Sequence, residues 1–225
     1  MYLIKTPKLI RNLFPNYLWQ MPTDEKVLYL TFDDGPVPEV TPWVLQTLEK
    51  YNAQATFFCV GDNAQKHFDI LQRIKSQGHA VGNHTATHRN GWETDLLPYL
   101  MDVRRCAQVV ETPLFRPPYG RITSKQSEVL QRYYKIVMWD VLSGDFDTEI
   151  TKETCLENVL LYAQNGSIIV FHDSLKAAER MKYALPRVLE YYTERGFVFK
   201  NLSEAMPEKN YYRKTERVLT ANTDR

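Results

Sequence analysis

Two adjacent carboxylates and two histidines four positions apart are the side chains here whose types and spacing point most directly to chemistry. The carboxylates lie in Thr31-Phe32-Asp33-Asp34-Gly35 and the histidines in His84-Thr85-Ala86-Thr87-His88. Asp and Gly together are ordinary turn composition. Neighbouring carboxylates repel, however, and a cation or an arginine normally offsets that cost. On one helical turn, His84 and His88 would share a face and could hold one metal, although such a pair by itself is more often a surface or capping feature. One Asp with two His is a hard-to-borderline ligand set that suits zinc, cobalt or iron and leaves coordination positions open.

Three more segments carry polar groups at the ends of apolar runs: Arg116-Pro117-Pro118-Tyr119-Gly120, Asp145-Phe146 and Val170-Phe171-His172-Asp173. The two prolines stiffen the backbone, so that the N–H of Tyr119 keeps one direction. The bland reading is a rigid loop and nothing more. His172 closes a very apolar run, where a core histidine would also be at home. A carboxylate such as Asp145 beside it would orient the ring and raise its pKa, as a general acid requires.

The elements that must position these groups alternate between β-branched runs and helix-period segments. Strands are expected at Val27–Phe32, Ala55–Val60, Ala80–Gly82, Leu114–Phe115, Ile136–Trp139, Ser167–Phe171 and Phe197–Phe199. Between them, Val40, Val44, Leu45 and Leu48 line a helix that begins with Thr41 as N-cap and Pro42 at its first position. Ile70, Leu71 and Ile74 mark another, closed by Gly78. Further helices are expected over Leu96–Val110 and Ser124–Arg132, then one through Leu156, Val159, Leu160 and Ala163, and a last one ending at Arg195. The pattern is an α/β chain of about seven parallel strands with outer helices. It is short for a complete eight-fold barrel, which takes about 250 residues, so a distorted or incomplete (β/α) barrel is expected. Four of the five segments directly follow a predicted strand, and in such a barrel strand C-termini converge on one face.

Bulk properties narrow the classes. The chain has 225 residues, 44% hydrophobic and 24% charged, with a formal net charge of +1. One domain is expected, with no global basic field that would suggest nucleic acid. Cys59, Cys106 and Cys155 form no CxxC pair and read as small apolar residues in a reduced compartment. Pro7, Lys8, Arg11 and Pro15 interrupt the first twenty residues, and no run is long enough to span a bilayer. A cytoplasmic location is expected, without membrane contact. Leu9, Ile10, Leu13, Phe14, Tyr17 and Leu18 are expected to pack against the barrel, with a membrane surface as the lesser reading. His67 and His79 read as structural, and the pairs Tyr133-Tyr134 and Tyr191-Tyr192 as packing residues with polar tips.

The five segments, in this order, resemble those of the polysaccharide deacetylases with a nodulation-protein-B homology domain, carbohydrate esterase family 4. The resemblance runs from Val27 to Ala205. It implies a catalytic domain over 27–205, with an N-terminal extension over 1–26 packed on the barrel and a polar tail over 206–225. It also implies a hydrolase that removes N-acetyl groups from an amino-sugar-containing oligo- or polysaccharide and releases acetate. Asp34, His84 and His88 would bind a divalent metal, zinc or else cobalt, that holds the attacking water and the acetyl carbonyl. Asp33 would act as general base, steadied by Arg116. The Tyr119 N–H would help stabilise the oxyanion, and His172, tuned by Asp145, would protonate the departing amine. Pro117, Phe146 and Val170 would line the substrate pocket. Two positions depart from the family pattern, which has Trp where this chain has Phe146 and Leu where it has Val170. Both changes are expected to leave spare volume in the acetyl pocket, and Phe146 also lacks an indole N–H.

Three alternatives stay open at this level. The same apparatus could act on O-acetyl esters or on a non-sugar amide. A catalytically inactive carbohydrate-binding protein is a second possibility, although no ligand or base is missing. Two His and one carboxylate also describe iron-dependent oxygenases, which have no need of the adjacent base, the arginine and the distant acid. The acetylated carbohydrate is the expected partner, and the sequence assigns no oligomeric state.

Overall fold

The computed structural model describes residues 2–205, so the expected polar tail over 206–225 lies outside them. Three strands form the middle of the sheet: β1 (Val27–Asp33), β2 (Ala55–Cys59) and β7 (Ile168–His172). Their sequences alternate between two apolar environments, which is why they read as continuous hydrophobic runs. In β1, Leu28, Leu30 and Phe32 join the cluster under the helices, while Val27 and Tyr29 join a second cluster inside the barrel. By the same period of two, Thr31 and Asp33 point into the interior.

Shorter strands extend this middle: β3 (Ala80–Asn83), β4 (Leu114–Phe115), β5 (Lys135–Ile136), β6 (Val141–Leu142) and β8 (Val198–Phe199). The path runs β5-β4-β3-β2-β1-β7-β6, with β8 paired to the early part of β1, and every pairing is parallel. Seven strands along the path match the expected number, in a curled half-barrel surrounded by helices, but they are not the expected seven. The strand predicted over Ile136–Trp139 stops at Ile136, and the chain then crosses to the far edge and forms β6.

The helices follow the expected order: α1 (Lys8–Leu13), α2 (Thr41–Lys50), α3 (Gly61–Lys66), α4 (Phe68–Ser76), α5 (Leu96–Ala107), α6 (Ser124–Leu130), α7 (Lys152–Tyr162) and α8 (Ala178–Thr193). α2 starts one residue away from its predicted cap. Val40 is the N-cap, and the Thr41 hydroxyl accepts from the Val37 N–H and donates to Asp173. α6 has a full capping box between Thr123 and Gln126. Gly82 is required by packing, because a Cβ there would fall 2.2 Å from the Phe58 ring.

The gap between the edge strands β5 and β6 is spanned by the segment preceding β1. Leu18 exchanges backbone hydrogen bonds with Ile136 and Met138, Thr6 N–H donates to Asp140 O, and Leu142 N–H donates to Ile4 O. Lys5 Nζ reaches the buried Asp140 carboxylate at 2.6 Å. Ile10, Tyr17 and Leu18 pack on the barrel. Leu9, Leu13 and Phe14 do not, with Leu9 71% exposed. Among the described residues no helix is long and apolar enough to cross a membrane.

The three cysteines are free and buried. His79 lies far from the chemistry and accepts from the Ala55 N–H, with burial pulling its pKa down to about 4. Tyr192 directs its hydroxyl at carbonyls of the α7 C-terminus, in line with a packing role.

Candidate active site

The parallel sheet brings all five segments to one end. Asp33 pairs in register with Phe58 on one side and His172 on the other, and Asn83, just before His84, pairs with Phe115, just before Arg116. Asp145 lies shortly after β6, so it too follows a strand, although not the one predicted for it.

At the centre, one ligand atom each from Asp34, His84 and His88 lies within 4.8 Å of the others. Asp34 Oδ1 is 3.9 Å from His84 Nε2 and 3.2 Å from His88 Nε2. That oxygen is buried and accepts no hydrogen bond, a costly condition that a cation would relieve. Both rings offer Nε2 because their other nitrogens are engaged. His84 Nδ1 bonds to the Arg116 carbonyl at 2.7 Å, and His88 Nδ1 lies 3.2 Å from the Tyr119 hydroxyl. Partners of this kind orient metal-binding imidazoles. Burial pulls the His84 pKa down to about 4, which leaves its lone pair available at neutral pH. Burial opposes ionisation of Asp34, but the imidazoles of His88, His172 and His84 hold its carboxyl well below the usual range. The donor set therefore fits a divalent cation.

The histidines are not on a helix. They sit in a loop in which Thr85 and His88 take left-handed backbone angles, φ 61° and 56°. The loop is held by Asp102 of α5, a buried carboxylate that accepts from the N–H groups of Ala86 and Thr87 and from the Thr87 hydroxyl. Strained backbone of this kind persists where the surroundings over-determine it. Asp34 is also left-handed, φ 83°. Asp173 anchors the residue after it, accepting from the Gly35 N–H at 3.0 Å. Burial pushes the Asp173 carboxyl up to about 7, with the Thr41 hydrogen bond opposing.

Arg116 crosses the barrel interior with its side chain fully buried. It donates to Asp33 Oδ1 (2.6 Å), the Thr31 hydroxyl, and the carbonyls of Val137 and Met138, and it lies over the Phe58 ring. Asp33 is thus pinned at the mouth of its strand beside Asp34. Pro117 and Pro118 are buried and lead into a one-turn helix whose middle residue, Tyr119, is left-handed at φ 60°. At the end of β7, His172 Nδ1 is 2.8 Å from Asp145 Oδ1, while its backbone N–H donates to Asp145 Oδ2. Burial would lower the His172 pKa, but the Asp145 charge and hydrogen bond, helped by Asp34 and Asp33, raise it to about 9. Phe146 meets the His172 ring at 5.2 Å, and Val170 is buried one strand from Thr31.

The sequence pattern that defines the polysaccharide deacetylases matches residues 20–135. The chain belongs to that family. Within the match lie Asp33, Asp34, His84, His88, Arg116 and Tyr119; Asp145 and His172 fall beyond it. A peptidoglycan-N-acetylglucosamine deacetylase of Bacillus cereus is 31% identical over 199 residues, covering 85% of this chain and 93% of that one. A chitooligosaccharide deacetylase of Azorhizobium caulinodans is 32% identical over 160 residues, 67% of this chain and 75% of that one. The crystal structure of the Bc1960 peptidoglycan N-acetylglucosamine deacetylase superposes with a TM-score of 0.81 at 29% identity, over 88% of this chain and 96% of that one. This family member is thus similar to deacetylases of amino-sugar polymers.

Sequence reasoning about the site missed four supporting groups. They are the Tyr119 hydroxyl on His88, the Asp102 carboxylate under the histidine loop, Asp173 beneath Gly35, and Tyr2, whose ring lies 5.0 Å from Phe146. Asp102 could have been found, since it shares a helical face with the buried Tyr99, Val103 and Cys106.

Proposed function

We propose that this protein hydrolyses N-acetyl groups on amino-sugar residues of an oligo- or polysaccharide, releasing acetate and a free amine, in a metal-dependent reaction. The observation that carries this reading is the orphaned Asp34 Oδ1 facing two imidazole nitrogens, with the Arg116-held Asp33 carboxylate and the Asp145-held His172 imidazole at the same end of the sheet. Asp34, His84 and His88 would hold a divalent metal, zinc or cobalt by donor type, which supplies Lewis acidity and water of lowered pKa.

The chain's own groups account for the rest. Asp33, held by Arg116, takes a proton from the attacking water as the water adds to the acyl carbon. The Tyr119 backbone N–H donates to the oxygen on which negative charge develops. His172 enters the cycle protonated, because Asp145, hydrogen-bonded to its Nδ1, favours the charged form. It gives that proton to the nitrogen as the C–N bond breaks. Asp145 holds the ring in place. Pro117, Phe146 and Val170 bound the volume for the acyl methyl group.

Acetate release from chitooligosaccharide, peptidoglycan fragments, acetylated xylan and acetylated polyamines tests the substrate assignment. The expected ranking places the N-acetylated amino sugars first. Faster release from xylan would assign the site to O-acetyl esters, and release from polyamines alone would remove the sugar. A chelator is expected to abolish activity, with recovery on adding zinc or cobalt. Full activity after exhaustive chelation would refute the metal assignment.

A further inference from the structure

Next to the metal-ligand histidines lies an indole that the catalytic assignment leaves without a task. Trp92 is 65% exposed, yet the loop that carries it is held from several sides. Asn90 Oδ1 accepts from the Trp92 N–H, the Thr94 hydroxyl donates to Asn90 O, and the Gln126 amide donates to the carbonyls of Gly91 and Thr94. Gly91 sits so close to the neighbouring strand of chain that a Cβ would fall 2.4 Å from Arg121 O. The indole is itself tethered at one edge, with Nε1 donating to Ile122 O at 3.2 Å. An exposed aromatic that has already lost its freedom pays little further ordering cost when a ligand covers it.

Its neighbours lead back to the site. The Arg121 guanidinium lies 5.2 Å from the Trp92 ring centre and 5.9 Å from that of Tyr119, itself 60% exposed. The Tyr119 ring meets His88 edge-on at 4.6 Å. A continuous surface therefore runs from His88 over Tyr119 and Arg121 to Trp92: ring, cation, ring. A pyranose matches such a surface, because its axial C–H bonds form an apolar face suited to an indole while its hydroxyls and acetamide carbonyl accept from a guanidinium. Glu93 lies 3.7 Å from Arg121 and offsets its charge, which favours a neutral sugar over an acidic one.

We propose that Trp92, with Arg121 and Tyr119, forms a stacking platform for a neutral sugar residue neighbouring the one whose acetamide is hydrolysed, so that the site reads a chain and not a single sugar. This rests on the reading given under Proposed function. The test compares zinc-loaded wild type, Trp92→Ala and Trp92→Phe on N-acetylglucosamine oligomers from dimer to pentamer, following acetate release and, by calorimetry, binding.

In Trp92→Ala, the ratio of kcat/KM on pentamer to that on dimer is expected to fall by about three- to tenfold, mainly through KM. Trp92→Phe, which keeps a ring but loses the tether to Ile122, should recover part of that ratio. An unchanged ratio in Trp92→Ala, with its melting temperature unchanged, overturns the platform and leaves the hydrolytic reading intact. Wild type that binds pentamer, loses binding in Trp92→Ala and releases no acetate supports the platform and overturns the hydrolytic reading. Wild type that neither binds nor cleaves any oligomer overturns both.

Discussion

Arg116→Gln asks how much of the site's floor depends on a single guanidinium. The side chain is fully buried and makes four hydrogen bonds, to Thr31, Asp33, Val137 and Met138. Glutamine is neutral and shorter, so Asp33, only 4% exposed, would keep a buried charge without its cation. Removing one partner of a buried pair costs about 3–5 kcal/mol. Each of the two abandoned carbonyls adds about 1 kcal/mol, partly relieved by the new amide. The expected loss is about 4–6 kcal/mol, a large share of the roughly 5–15 kcal/mol that holds a typical domain together. At this chain length it lowers Tm by roughly 10–20 °C. Urea melts followed by circular dichroism would measure it. Repeating the substitution in the Asp33→Asn background, where no charge is left to strand, should cost at least about 2 kcal/mol less. Equal costs in the two backgrounds, or a cost below about 1 kcal/mol in the first, would refute the claim that Arg116 acts by neutralising Asp33.

Asp33→Asn strands the buried Arg116 charge and should cost about 3–5 kcal/mol of stability, while the protein that stays folded loses about 10²–10⁴ in kcat; undiminished turnover would end the base assignment. In metal-free protein the His172 imidazole should titrate near 9 by NMR, and Asp145→Asn should bring it down; a wild-type midpoint at or below 6.5 would show that Asp145 does not hold the proton. Because that folded value is raised, the pair's contribution to stability is complete below about pH 6.5 and is lost as pH rises through about 9. Tyr2→Ala removes the ring beside Phe146 and a hydrogen bond to Asp147, so it should cost about 1–2 kcal/mol and raise the rate on N-propionyl relative to N-acetyl substrate. An unchanged acyl ratio would mean that Phe146 sets that wall unaided.

How legible each element is in the sequence depends on how local its determinants are. β1, β2 and β7 announce themselves because both of their faces are buried, which demands unbroken apolar runs. β6 has only Val141 and Leu142, and it follows Trp139-Asp140 with no turn residues to mark a boundary. Its existence depends on pairing with β7, a contact distant in sequence. The site's composition was legible and its local geometry was not. Four-residue spacing suggested a helical turn for His84 and His88, whereas the rings converge through two left-handed residues and a carboxylate borrowed from α5. Pattern alone does not reveal such long-range support. Asp33 beside His172 follows from strand order, which the β/α alternation constrains without specifying register.

The strap that runs across the barrel's open side has a consequence for assembly. Two ribbon edges face one another there, each displaying backbone donors and acceptors that this stretch now satisfies. Shortening the chain before Gln20 would bare both at once, and the cheapest replacement is the equally bare edge of a second truncated molecule. Truncated protein should therefore dimerise or aggregate with its catalytic groups still in place, and a synthetic peptide copying residues 2–19 should return it to a monomer.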